Sequence, residues 1–332
     1  MNKERILLLG DINIDTIFPV AEFPIPGRDG IAQDIAVEVG GAVVNSAILL
    51  NNLGSATSLI GCVGEDIWAE FILRKLNQTH INLDHIQATS HATTGLTFVI
   101  TIPDGERTMF SYRGANTLLQ KEFFADNLFK DATLLHISGY AFLQSPQKEA
   151  ALHAIALAHK QHVKICIDTG LEPVMQRTKE MQDILPLLSI CITGPQEVQA
   201  LLGCDTPEQA AQELISQGVE LVAIKQGSEG CFLANKTQSC LFPAFSIHAV
   251  DTTGAGDSFS AGLLFAYQQK MSLQASAILS SALGAMAAMV SGAGFSLPDT
   301  NKVCTFLQNE RQKSYLQFYE QYFDEVIKKL NI

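Results

Sequence analysis

The residues best suited to chemistry lie together in Asp251-Thr252-Thr253-Gly254-Ala255-Gly256-Asp257-Ser258-Phe259-Ser260-Ala261-Gly262-Leu263-Leu264. The small residues up to Gly256 let backbone come close to a ligand. They open onto an apolar helix predicted to run to about Gln269. The first amides of a helix have no partner within it, so they point outward and can bind an anion. Asp257 falls in that first turn, where the helix dipole favours a carboxylate, and a carboxylate there can take a proton from a hydroxyl. Amides for a phosphoryl group beside a base for an attacking hydroxyl are what phosphoryl transfer requires. Gly-Ala-Gly-Asp alone reads equally well as a capped helix whose glycines pack closely.

Counted with its flanks, the segment resembles the second signature of the ribokinase-type (PfkB) carbohydrate kinases at Asp251, Gly254, Ala255, Gly256, Asp257, Ala261 and Gly262. That family's first signature has counterparts in Gly40-Gly41-Ala42-Val43-Val44-Asn45-Ser46-Ala47, in Leu53-Gly54, and in Ile60-Gly61-Cys62-Val63-Gly64-Glu65-Asp66. Gly10-Asp11-Ile12-Asn13-Ile14-Asp15 resembles its opening strand. Each element is moderately specific, whereas the ordered set spans nearly the whole chain and is highly specific. The resemblance implies an ATP-dependent kinase that moves the γ-phosphoryl group to a hydroxyl of a sugar or sugar-like molecule. It implies Asp257 as catalytic base, an anion hole of Gly254, Ala255 and Gly256, and substrate contacts from Asn13, Asp15, Gly41 and Asn45. Carboxylates and amides suit a polyol because they take paired hydrogen bonds. Asp15 read alone could instead cap a turn, and Asn45 a helix.

On the nucleotide side, Lys225-Gln226-Gly227-Ser228-Glu229-Gly230 resembles the family's strand and glycine turn, which implies a nucleotide role for Lys225, Gly227 and Gly230. A plain β-turn is the alternative. Glu197 matches the Glu of the family's Asn-x-x-Glu, but Gly194 stands where Asn helps position phosphates. Slower turnover, rather than none, follows from that departure. Mg²⁺ would arrive with ATP and keep much of its water. Ser291-Gly292-Ala293-Gly294-Phe295-Ser296-Leu297-Pro298 resembles the loop that holds a monovalent cation with Asp251 and Thr253. Asp251, Thr253, Gly292 and Ser296 are therefore the metal set that the resemblance implies, with K⁺ as the ion.

The acceptor is less legible. Ser138-Gly139-Tyr140 lacks the acidic residue of ribose-using members, which argues against simple ribose. Arg113, just past a lid hairpin, resembles the Arg of members that bind acidic sugars such as 2-keto-3-deoxygluconate, and its fork suits a carboxylate. Holding its loop to a neighbouring carboxylate is the other reading. A nucleoside acceptor stays open, with Phe18, Phe98, Phe110 or Tyr112 stacking on a base.

The elements that must position these residues follow from periodicity. Short β-rich runs at 5–9, 57–62, 133–137, 163–167, 188–192 and 221–224 alternate with helical patterns at 43–53, 68–77, 146–160, 195–202 and 207–217. Apolar strands alternating with amphipathic helices imply a parallel sheet covered on both faces. The ribokinase-like three-layer α/β/α sandwich follows from the resemblance, with 1–332 as a single domain. Two stretches, within about 12–40 and 94–113, break the alternation and predict a small β lid. The first ends in an alternating run at 31–39; the second is two runs joined by Pro103-Asp104-Gly105-Glu106, a hairpin signal. The lid's strands make edge pairing into a homodimer an expectation.

Composition excludes several classes. Net charge is −12 with no basic cluster, which argues against nucleic-acid binding. The one early apolar burst, 6–9, is too short for a signal peptide or membrane span, so a cytoplasmic protein is expected. The seven cysteines are scattered, which predicts buried, reduced thiols. No G-x-G-x-x-G follows the first strand, no Walker motif is present, and the histidines are dispersed. A non-enzymatic sugar sensor on the same scaffold is the remaining rival, and the Asp257 segment argues against it.

Overall fold

The computed structural model describes residues 4–102, 107–124 and 128–331. In chain order its strands are β1 (Arg5–Leu9), β2 (Asn13–Pro19), β3 (Ala36–Gly40), β4 (Ala56–Gly64), β5 (Asn82–Thr89), β6 (Gly95–Thr101), β7 (Arg107–Tyr112), β8 (Ala132–Ser138), β9 (Lys164–Asp168), β10 (Ile190–Thr193), β11 (Leu221–Lys225), β12 (Cys231–Asn235) and β13 (Ser239–Phe242). The helices are α1 (Ala42–Asn52), α2 (Ile67–Leu76), α3 (Gln147–Lys160), α4 (Leu171–Gln176), α5 (Thr178–Ile184), α6 (Pro195–Leu202), α7 (Pro207–Ser216), α8 (Ala255–Gln268), α9 (Leu273–Ala288), α10 (Thr300–Glu310) and α11 (Glu320–Leu330).

The large sheet runs β13-β12-β11-β10-β9-β8-β1-β4-β5, parallel from β11 to β5 and antiparallel at β12 and β13. Successive side chains of a strand face opposite sides, and β1 obeys this: Ile6 and Leu8 join one core cluster, Leu7 and Leu9 the other. Helices α1, α2 and α8 to α11 pack on the first face, and α3 to α7 on the second. The three-layer sandwich is thus the structural consequence of doubly apolar strands.

A second sheet, β3-β2-β6-β7, forms the lid. Its strands β6 and β7 pair antiparallel from Leu96↔Tyr112 to Thr101↔Arg107 as expected, while the turn at 103–106 lies outside the described residues. The predicted strand at 31–39 is shorter: pairing with β2 begins only at Ile17↔Ala36, and Ala32 makes one isolated bridge to Val20. Strand β2 ends at Pro19, whose carbonyl accepts from the Gln33 N–H at 2.9 Å.

Cys62, Cys166, Cys191, Cys231, Cys240 and Cys304 are buried and all seven thiols are free. No helix among the described residues is long and apolar enough to cross a membrane. Strands β5, β12 and β13 and helices α4, α5 and α9 to α11 were not singled out in the sequence. The first is an edge strand with a polar alternation, Asn82-Leu83-Asp84-His85, which reads weakly.

Candidate active site

Four helices start beneath a side-chain cap: Asp66 on α2, Thr206 on α7, Ser272 on α9 and Asp299 on α10. Helices α1 and α8 do not. They begin at Gly41 and Gly254 with no side-chain cap, and they meet each other. Gly254 has φ 73°, a left-handed conformation, and a Cβ there would lie 2.7 Å from that of Ala293; only glycine fits without strain. At the start of α8 the Ala255 N–H donates to the Thr252 carbonyl at 3.2 Å, so of the three predicted anion-hole amides this one is engaged within the loop, while no side chain caps the helix. It opens on a cavity of about 500 Å³, lined also by Lys225, Gly227, Gly230 and the segment around Phe245 and Ile247.

Asp257, in the first turn of α8, is held from α1. Asn45 Nδ2 donates to Asp257 Oδ2 at 2.8 Å, and Ser46 Oγ donates to the Asp257 carbonyl at 2.9 Å. The other end of the Asn45 amide accepts from the Gly294 N–H at 3.1 Å. Asn45 thus sits beside the predicted base with both ends of its amide engaged.

The lid supplies Asp15 and Asn13 from β2. Asn13 Oδ1 accepts from Asn116 Nδ2 at 2.7 Å, and a Cβ on Gly95 would fall 2.2 Å from that oxygen. Asp15 stands near enough to Asp257 and Glu38 to feel their charge. Burial, with those two carboxylates adding and the Thr97 hydroxyl opposing, pushes the Asp15 carboxyl up to about 7. Gly41 starts α1 against Asp11, and a Cβ there would be 2.3 Å from the Asp11 carbonyl oxygen.

Arg113 lies at this site, but its fork grips protein. Nε and Nη2 donate to the two Asp11 oxygens at 2.8 Å each, and Nη2 also to Gln147 Oε1. Gln147 Nε2 donates back to Asp11 Oδ1 at 2.8 Å. The second reading of Arg113, a loop held to a neighbouring carboxylate, is the arrangement found.

Strand parity places the lid aromatics. Asp15, Thr97 and Ser111 are cross-strand neighbours, as are Thr16, Phe98 and Phe110 one residue on. Phe18, Phe98, Phe110 and Tyr112 therefore share the face opposite Asp15, with Phe18 and Phe98 stacked at 6.2 Å. The expectation that one of them stacks on an acceptor's base fails for that reason. Another aromatic, Tyr140 after β8, is half-exposed and near enough to Glu172, Asp11, Asp257 and Arg113 to feel their charge.

Across α8, Lys225 Nζ donates to both oxygens of Asp168, at 2.8 and 2.7 Å, and Ser260 Oγ donates to Asp168 Oδ2 at 2.7 Å. Glu197 turns back over Gly194, where a Cβ would meet its Oε2 at 2.3 Å. Gly227 and Gly230 flank a short 3₁₀ turn after β11.

At the predicted cation loop, Asp251 Oδ1 accepts from the Thr253 N–H and hydroxyl, and Oδ2 accepts from the Gly292 N–H. Ser296 is exposed at the end of that loop. Glu38 comes in from the lid: a Cβ on Gly292 would be 2.5 Å from its Oε2. Its carboxyl is raised, first by burial and then by the Asp251 charge, with the Ala293 N–H opposing.

Asp168, Ser260, Glu38, Asp11, Gln147 and Tyr140 were not assigned site roles from the sequence. Asp168 ends β9 and Asp11 follows β1 by two residues. Ligands of open parallel sheets bind outside the carboxyl ends of the strands, and this rule would have selected both. Nothing local marks Gln147 or Glu38.

The family model described as pfkB family carbohydrate kinase matches residues 3–300. The chain is similar to the ribokinase of Haemophilus influenzae, 26% identical over 316 residues that cover 92% of this chain and 99% of that protein. It is similar to the aminoimidazole riboside kinase of Salmonella typhimurium, 28% identical over 81% of this chain and 88% of that one. Among solved structures, that of Arabidopsis thaliana ribokinase complexed with ribose and ATP has a TM-score of 0.79 at 22% identity, covering 92% of this chain and 98% of that one.

Proposed function

The chain belongs to the pfkB family of carbohydrate kinases and is a phosphotransferase with an alcohol group as acceptor; from that premise we propose in-line transfer of the ATP γ-phosphoryl group to a hydroxyl of a small sugar or riboside. The acceptor oxygen bonds to phosphorus as the β–γ bridging bond breaks. That bond's electron pair leaves with ADP, and the hydroxyl proton goes to the Asp257 carboxylate. The amides of Gly254 and Gly256 face the charge on the migrating group, and that of Ala255 joins them once it leaves the Thr252 carbonyl. The observation that carries this reading is Asp257, held by Asn45 at 2.8 Å, in the first turn of a helix without a side-chain cap.

Asn13, Asp15 and Gly41 are the acceptor side. Lys225, Gly227 and Gly230 line the nucleotide cavity. Glu197, a part-exposed carboxylate beside Lys225, suits a hydrated Mg²⁺ brought by ATP. The ion supplies charge neutralisation when bound. Two carboxylates, Asp251 and Glu38, converge on Gly292 from different elements, a donor set that a monovalent cation would relieve. K⁺ in place of Na⁺ should raise both activity and melting temperature, and equal values in the two salts would remove the cation.

Tyr140 favours a riboside over a bare sugar, because an aromatic aglycone can stack on its half-exposed ring beside Asp257. The outer lid face, with Phe110 56% and Tyr112 53% exposed, fits a second copy of this chain. A monomer at all concentrations in light scattering would exclude that dimer.

The test is an ATP-consumption screen over pentoses, hexoses, keto-deoxy acids and nucleosides, with Asp257→Asn as blank. Turnover on at least one acceptor that vanishes in the blank is the expected result. No consumption above the blank with any acceptor would overturn the reading.

A further inference from the structure

Among the described residues that line the cavity at the start of α8, Lys225 carries the sole charged side chain. A nucleoside triphosphate brings several negative charges, so this ammonium decides much of the local field. It is 22% exposed, toward the cavity, and two of its three N–H groups go to Asp168. One donor remains. Its location is set by Gly256, on which a Cβ would lie 3.6 Å from Nζ. The lysine therefore stands beside the second residue of α8, where the outward amides converge.

The anchor is held by the same helix. Ser260 Oγ, one turn after Gly256, lies 2.7 Å from Asp168 Oδ2, to which it donates, and 3.0 Å from the Gly256 carbonyl oxygen. Asp168 thus ties β11 to α8 and fixes how far the ammonium reaches. Position 194, whose neighbour Glu197 is near enough to Lys225 to feel its charge, offers no side chain. The carboxylate of Glu197 fills that space, so an amide there would have to displace it. Position 194 thus contributes no side-chain donor, and Lys225 contributes a charged one to the cavity.

Resting on the phosphotransfer reading above, we propose that Lys225 is a catalytic residue: its third N–H, aimed by Asp168, contacts the γ-phosphoryl oxygens and neutralises the charge that shifts toward the β–γ bridging oxygen as that bond breaks. It supplies the donor that position 194 lacks. Asp168 is its positioning residue. The step adds no reactant, since the lysine stays protonated while the acceptor proton passes to Asp257.

The experiment begins with wild type and Asp257→Asn on the best acceptor. Absence of any turnover by wild type would refute the phosphotransfer reading and leave nucleotide binding by Lys225 to be judged by calorimetry alone. Lys225→Met should lower kcat by roughly 10²-fold or more, as removal of one transition-state donor does, while the acceptor Kd stays within about twofold. Titrated without acceptor, the variant should lose about tenfold more affinity for ATP than for ADP, near 1.4 kcal/mol, because ADP lacks the γ group. Lys225→Arg should recover part of the rate. Equal losses for ATP, ADP and AMP, or a kcat within about threefold of wild type, would overturn the proposal. If Lys225→Met does not fold because Asp168 is left unpaired, the double variant with Asp168→Asn removes that charge and is read by the same ATP-to-ADP ratio.

Discussion

Asn45 Nδ2 lies 2.8 Å from Asp257 Oδ2, joining residues 212 positions apart and fixing the tip of α8 against that of α1. Because the same amide accepts from Gly294, the orientation of Asn45 is set and its N–H end must face the carboxylate. Asp257→Asn should keep the fold and acceptor binding while cutting turnover by roughly 10²–10⁴, the usual contribution of a positioned base. Asn45→Ala should lower kcat less, on the order of tenfold, since it misorients the base without removing it. Steady-state kinetics and acceptor titration check both; near-normal turnover in Asp257→Asn would reassign the base.

The raised carboxyl of Asp15 gives a pH dependence with a definite sign. Between its ordinary value of 3.8 and about 7, the folded state keeps a proton that the unfolded chain has lost. The unfolded state then binds fewer protons, so stability from this group falls as pH rises through that window and is level above it. Melting temperature against pH should show this slope in wild type and a flatter one in Asp15→Asn. Asp15→Ala should mainly weaken acceptor binding, and a change confined to the ATP response would show that the carboxylate does not face the acceptor.

The Arg113–Asp11 pair is partly buried, with side chains 14% and 11% exposed. Arg113→Met would leave Asp11 uncompensated, at a cost of about 3–5 kcal/mol by analogy with broken buried pairs. Chemical denaturation measures this. A second consequence concerns specificity: with its charge already met by Asp11, Arg113 gives keto-deoxy acids no advantage over neutral acceptors. A screen in which such acids win by tenfold or more, about 1.4 kcal/mol, would show that the pair opens.

Beyond residue 300, where the family match ends, the chain braces the cavity at the start of α8. The Ser246 N–H donates to the Tyr315 hydroxyl at 3.1 Å, and the Phe245 ring packs against Phe306 and Phe323. Phe245 and Ser246 both line the cavity. Phe323→Ala should therefore weaken ATP binding along with the 3–5 kcal/mol typical of a buried phenylalanine removed. Tyr315→Phe should raise the KM for ATP by a few-fold at unchanged melting temperature, the scale of one exposed hydrogen bond. An unchanged KM in both variants would reduce this region to a stabilising appendage.

Much of the architecture was readable because it is local. The apolar runs 5–9 and 221–224 became β1 and most of β11, and helix α6 matched its predicted limits, since Pro195 starts a helix readily and Gly203 ends it. The lid strands followed from alternation.

What the sequence determined by itself was the strand–helix alternation of the central sheet as far as β11, and the α8 segment, because periodicity and small residues act over a few positions. The tertiary structure alone decided which polar groups meet: Asn45 with Asp257, Arg113 with Asp11, Lys225 with Asp168. In a parallel sheet, neighbouring strands are distant in sequence, so no local pattern encodes these pairs. The face of each lid aromatic likewise depended on register, where a shift of one residue reverses every side chain.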